Sequence, residues 1–268
     1  MSTRRIRTFC FIFVCFFSFL SSFSQDLRFS SGIFSGDCGD FVHAKNVWAI
    51  QVNPAQLAYC NETEIGVAYN TNFSLTDMVC TRVNASTQMK QLALGTSMVV
   101  FGNSHYRESY YQLCISRKLN NHNALSVKFN LSNLYQDEYG NNLNVYSEDA
   151  YFGEKNHISY GVHCINPFRL VASNDVLSIY KIQGGYAITN AVSVTACLVK
   201  IGDYEPYLTI GGTYCIKEKY MCTIAYRNTN NPLNFSVQIP IRCCILEYDT
   251  NMNFYLGLSH TICFRLKI

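Results

Sequence analysis

The sequence predicts an all-β fold: a transmembrane, antiparallel, up-and-down β-barrel of about twelve strands, within a range of about ten to fourteen, after a short N-terminal segment that is not a strand. Three observations carry this. After residue 60, apolar residues recur at every second position almost everywhere. The runs are long: a spanning strand needs about 9–11 residues, whereas soluble strands average about 5–6. The chain opens on an export signal, and no later stretch is long and apolar enough for a spanning helix.

The export signal is read from the first residues. Arg4, Arg5 and Arg7 precede an apolar stretch over 8–20; Ser21, Ser22 and Ser24 follow, and Gln25 begins a polar run. This is the pattern of a signal peptide, residues 1–24, cut near Ser24–Gln25. The apolar part is too short for an anchor, since a spanning helix needs about 20 residues. Cys15 follows Phe13 and Val14 rather than a small residue, which argues against a lipid-attachment site.

Composition fits a wall in lipid. Charged residues are 15% of the chain, below the roughly 25% of soluble domains, and there are 19 Tyr and 18 Phe. The net charge of +3 is not clustered, so no nucleic-acid surface is expected. The chain has 13 cysteines, two of them in the signal, and the rest mostly stand singly on strand-like runs. Such cysteines read as small apolar fillers, with a few disulfides open to an exported chain. Five N-x-S/T sequons are what an Asn-, Ser- and Thr-rich chain yields by chance.

The expected strands are 64–73, 76–86, 89–102, 107–119, 122–134, 156–166, 176–189, 191–202, 204–217, 219–228, 233–246 and 252–267. In 124–134, Leu125, Val127, Phe129 and Leu131 oppose Ser126, Lys128, Asn130 and Ser132. In 233–245 the alternation runs unbroken to Ile245, although Pro240 removes one ladder donor. Residues 136–156 are expected to form a polar external loop. Its acidic pairs, Asp137-Glu138 and Glu148-Asp149, read as solvated, the alternative being a cation site at the lumen or mouth. In hydrocarbon only a closed barrel satisfies every strand's backbone, so the long alternating terminal run, ending at Ile268, is expected to pair with the first strand. Tyr69, Tyr106, Tyr180, Tyr186, Tyr204 and Tyr220, near strand ends, suit an interfacial girdle. A soluble barrel, with its oily face inward, is the alternative that alternation alone leaves open.

Residues 25–62 differ. They carry glycines, the lone Trp48, and Asn53-Pro54-Ala55-Gln56-Leu57-Ala58, where Asn-Pro starts a turn and Pro opens a short helix over 54–59. No HExxH, GxSxG, P-loop or paired CxxC pattern is present, so neither an enzyme nor a cofactor or metal site is expected. His260 reads as an interfacial or satisfied residue.

The stretch VNPAQLAYCNETEIGVAYNTNF (52–73) resembles the start of barrels in the FadL-type fatty-acid transporter superfamily, and most of all its Bacteroidetes branch with the PorV and PorQ proteins. Asn53, Pro54, Ala55, Leu57 and Ala58 match that branch's Asn-Pro-Ala-Gly-Leu-Ala, with Gln56 in place of the glycine; Glu64-Ile65-Gly66 fits the strand start, and GVHCINPFR (161–169) is a second echo. The resemblance implies a hatch, 25–62, folded into the lumen of a barrel, 63–268, in the outer membrane, with about fourteen strands in relatives. It implies passive transport of a hydrophobic small molecule past Trp48, Asn53, Pro54, Ala55 and Leu57. As the second reading, it implies an accessory barrel that docks secreted proteins in type IX secretion. The expected partners are outer-membrane lipid with either a hydrophobic solute or secretion-system proteins.

Overall fold

The computed structural model describes residues 44–75, 77, 79–137, 140–167, 176–217, 220–229 and 232–268; the expected signal peptide and residues 25–43 lie outside them. Fourteen strands form one closed antiparallel barrel. They are β1 Glu64–Thr71, β2 Val79–Met89, β3 Leu92–Gly102, β4 Tyr106–Lys118, β5 Asn123–Gln136, β6 Gly140–Lys155, β7 Ile158–Ile165, β8 Ile179–Ala187, β9 Val192–Ile201, β10 Tyr207–Ile216, β11 Tyr220–Arg227, β12 Leu233–Ile241, β13 Cys244–Asn253 and β14 Gly257–Lys267. Each strand pairs with its neighbours in sequence, and β14 returns to β1, from Glu64 opposite Lys267 to Thr71 opposite His260. The seam is tight: the Ile268 N–H also donates to the Thr63 carbonyl.

The side chains settle which face is out. Leu125, Val127, Phe129 and Leu131 are exposed, while Ser126, Lys128, Asn130 and Ser132 between them are buried. The same division holds on β1, where Ile65, Val67 and Tyr69 point out and Glu64, Ala68 and Asn70 point in. Oil outside and polar groups inside is the reverse of a soluble barrel and is the arrangement hydrocarbon demands. Tyr69, Tyr180, Tyr186, Tyr204 and Tyr220 are exposed near strand ends, as a girdle requires. Tyr106 instead turns in and packs on Cys80, Val99 and Phe101, its hydroxyl on Glu108. His260 stacks on Tyr248 and meets its hydroxyl at 2.7 Å, so it is satisfied.

Two strands exceed the expected twelve. Residues 140–155, expected as part of a polar loop, are β6, the longest strand in the wall. Glu148 and Asp149 therefore do not lie in a solvated loop: Glu148 is buried inside the barrel. The single run expected over 233–246 is two strands, because the chain reverses at Arg242-Cys243 and Ile241 pairs with Cys244. That reversal carries no Gly, Asn or Pro. Arg242 takes φ 56°, as Lys90 (59°) and Asn156 (56°) do at the other two-residue turns of the same end. A positive first φ is what the twist of a tight hairpin selects.

Both chain ends of the barrel lie at the rim that carries these short turns, here the near rim. The far rim carries links 72–78 and 166–178. The buried thiols of Cys80, Cys114 and Cys263 are outside disulfides and fill the wall's inner face, as small apolar residues do.

Phe129, near the middle of β5 and exposed, tests the orientation of the wall. Phe129→Arg is expected to destabilise the barrel in lipid by about 2–4 kcal/mol, and Phe129→Leu by far less. Denaturant titration of the vesicle-inserted protein, read by heat-modifiable gel mobility, measures this; equal stabilities would contradict it.

Candidate functional site

Residues 44–60 lie inside the barrel, and Asn61 and Glu62 are exposed at the near rim. A one-turn helix, α1 (Ala49–Val52), runs into a 3-10 turn, Pro54–Tyr59, matching the short helix expected over 54–59. Asn53 joins them in an extended conformation. Its Oδ1 accepts from the Ala55 N–H at 3.1 Å, capping the turn, and Pro54 takes the first helical position, where no N–H is needed. The Asn53 amide then donates to the Tyr151 carbonyl and to Gln183 Oε1, both at 3.1 Å. One side chain thus sets the local turn and ties it to β6 and β8.

The other expected residues fall on the same segment. The Pro54 carbonyl accepts from Ser116 Oγ at 2.6 Å. Ala55 packs among Ala124, Ala150 and Phe152, and Leu57 among Ile50, Ala93 and Cys114. Trp48 lies over β1, where a Cβ at Gly66 would fall 2.9 Å from its ring. At Gly95 on β3 a Cβ would fall 2.8 Å from Leu57 Cδ1 and 3.1 Å from Ile50. These two glycines let the segment approach the wall closely. Tyr59 meets the Phe152 ring edge-on at 5.5 Å.

Polar contacts fix the segment where apolar packing alone would let it slide. Gln51 exchanges hydrogen bonds with Asn84 and donates to Ser97 at 3.0 Å. The Val47 N–H donates to Glu64 Oε2 at 2.8 Å. Glu64 also receives Arg265, which reaches Glu247 on the next strand, so the β1–β14 seam and the segment share one carboxylate. Lys45 pairs with Glu154 at the near end of β6.

Above the segment, charged residues from β5 to β8 meet. Lys128 Nζ lies 2.7 Å from Glu148 Oε2 and donates to the Ile50 carbonyl at 3.0 Å. His163 Nε2 meets the same Oε2 at 2.7 Å. Among the described residues Glu148 Oε1, His163 Nδ1 and Lys181 Nζ have no hydrogen-bond partner, although all three side chains are buried. Of the acidic pairs, Glu148 thus falls in the lumen, but against Lys128 and His163 rather than at a cation site. Lys128 already stood on the polar face of its run; Glu148 was hidden by the loop reading, and His163 and Lys181 stand alone in sequence. Among the described residues no group of three or more His, Cys, Asp or Glu side chains is placed to hold a metal ion.

Toward the far rim the lumen wall turns apolar. Tyr146, Ile165, Ile179, Cys197, Val199 and Ile201 form a buried cluster on β6–β9, with Val176, Leu177 and Tyr207 against it. On the adjoining wall Ser193, Thr195, Thr209, Thr213, Thr223 and Ala225 point in from β9–β11 and are small, while Arg227 lies over the Tyr207 ring beside Thr209.

The architecture has counterparts among solved structures. A Pseudomonas aeruginosa FadL homologue superposes with a TM-score of 0.60 over 88% of this chain and 96% of that one, at 9% identity. The Pseudomonas putida toluene transporter TodX gives 0.57 over 81% and 91%, at 7% identity. The monoaromatic hydrocarbon channel CymD gives 0.55 over 83% and 93%, at 9% identity. At such identities the likeness establishes the fold. No family model and no curated protein matches the sequence.

Cys60 reports on the inner segment. Burial, with the Glu64 carboxylate adding, pushes its thiol up to about 12. It is expected to stay protonated and unalkylated at about pH 8.5, where an ordinary exposed thiol reacts. Gly95→Phe should displace Leu57 and Ile50, expose Cys60 to alkylation and raise the ion conductance of the reconstituted barrel. Equal alkylation of Cys60 in both proteins, mapped by peptide mass, would contradict the wedge.

Proposed function

We propose that the protein is an outer-membrane channel through which hydrophobic small molecules pass passively, with residues 25–62 as its hatch and 1–24 as its export signal. The observation that carries this is the sequence of environments along one lumen. An apolar patch lies toward the far rim, a charged cluster lies below it, and a hydrogen-bonded segment fills the near half against β1–β8. Solved barrels of the same fold are described as a toluene transporter and a monoaromatic hydrocarbon channel, which supports the reading.

The mechanism follows from those environments. A hydrophobic solute leaves water for the patch of Ile165, Ile179, Val199 and Ile201, where burying apolar area favours binding by about 25 cal/mol per Å². The way onward is obstructed by the hatch, held by directional bonds at Asn53, Gln51 and the Ile50 carbonyl. A small shift of the hatch breaks a few of these bonds without unpairing any strand. Asn53 and Pro54 set the hatch's shape; Trp48, Ala55 and Leu57 present its apolar surface. Past Tyr207 and Arg227, the small side chains Thr195, Thr213, Thr223 and Ala225 leave that side of the lumen as the path of least steric resistance. No energy source is needed, because the solute runs down its own gradient.

Uptake of a dilute aromatic hydrocarbon into cells with and without the barrel tests the proposal. The barrel should speed the initial rate, and Ile179→Asp should cut that gain about tenfold, the equivalent of roughly 1.4 kcal/mol. Unchanged uptake of every hydrophobic compound tried would refute it.

A further inference from the structure

Among the described cysteines outside disulfides only Cys243 is exposed, and it stands beside Cys244 at the near rim. Their Sγ atoms lie 3.8 Å apart. The backbone beneath them is held on both sides. Ile241 pairs with Cys244 across the two-residue turn, and the Lys267 N–H donates to the Cys243 carbonyl at 3.1 Å. The positive φ of Arg242 fixes the reversal that brings the two thiols to the rim. None of this contributes to the lumen or to the proposed transport.

Two chemistries are open to neighbouring thiols, and distances decide between them. A disulfide needs sulfurs about 2.05 Å apart on residues whose Cα atoms are about 4.4–6.8 Å apart. Adjacent residues across a trans peptide hold their Cα atoms at about 3.8 Å, so bonding these two sulfurs strains the backbone. A tetrahedral ion with metal–sulfur bonds of about 2.3 Å places two of its sulfur ligands about 3.8 Å apart. The pair as it stands has that spacing.

We propose that Cys243 and Cys244 form a two-thiolate chelate for a thiophilic divalent ion of the zinc class. Both thiols deprotonate on binding, so two protons are released as two metal–sulfur bonds form and no electron is transferred. The remaining two positions of the tetrahedron face the solvent at the rim. They are open to water or to a donor group on a second molecule.

Cobalt(II), which reports thiolate ligation through a charge-transfer band, is the probe. The detergent-solubilised full barrel, kept reduced with a non-thiol reductant, is expected to bind one equivalent and to give that band. Equimolar zinc should displace it. Cys243→Ser and Cys244→Ser should each weaken binding at least about tenfold, since a chelate lost becomes a single ligand, while Cys222→Ser should leave it unchanged. In the unaltered protein, zinc should protect both thiols from alkylation. Four results would each overturn the proposal: no band in the unaltered protein, a band that survives either serine variant, no protection by zinc, or recovery of residues 243 and 244 as a disulfide from cells quenched with an alkylating agent.

Discussion

Hydrocarbon offers a peptide group nothing to bond to. Every N–H and C=O in the spanning part of this chain must therefore find its partner in another strand, and the first strand must meet the last. The β1–β14 ladder is where that requirement is met. It is also where the protein places its densest charge at the near rim: Glu64, Arg265 and Glu247, all buried. The arginine between two carboxylates satisfies groups that would be costly alone, and Glu64 keeps one oxygen for the Val47 N–H. Closure of the wall and seating of the inner segment thus rest on one carboxylate. That is a physical reason for the segment to precede β1 directly.

Once the wall is closed with its oil outward, the lumen is left with the polar half of every strand. A cylinder lined with Ser, Asn, Gln and Lys does not fill itself as a Leu and Ile core does. The inner segment supplies the missing volume with alternating apolar and amide contacts, and the two glycines at 66 and 95 let it approach. Buried charge is tolerated because it is shared: Lys128 and His163 both meet Glu148, and Lys128 also donates to the Ile50 carbonyl of the inner segment. Removing one partner of such a pair costs about 3–5 kcal/mol, so the cluster favours one seating of the segment over its alternatives.

The sequence makes most of the wall legible because two constraints agree. Strand period and lipid contact both demand alternation, and β5 shows it without exception from Ala124 to Ser132. Legibility fails where one constraint is relaxed. On β6 the outward positions include Ser147 and Asp149 and the inward ones Glu148, so the oily half of the alternation fades and the stretch reads as a polar loop. At Arg242-Cys243 the turn uses a left-handed arginine, so no turn residue marks it, and apolar Ile245 continues the pattern although it now belongs to the next strand. The 3-10 turn at Pro54 was legible from Asn-Pro alone, because its cap and its missing N–H are local. The charged cluster was not, since its members come from four strands and meet only after closure.

The alternating apolar face meets hydrocarbon, while the inner segment does not. Trp48, the chain's one tryptophan, lies on that segment, which makes this measurable by fluorescence in vesicles of lipids brominated along the acyl chain. Trp48 emission is expected to be indifferent to bromination, and a tryptophan substituted at Phe129, with Trp48→Phe, to be strongly quenched. Strong quenching of Trp48 together with none at 129 would contradict this arrangement.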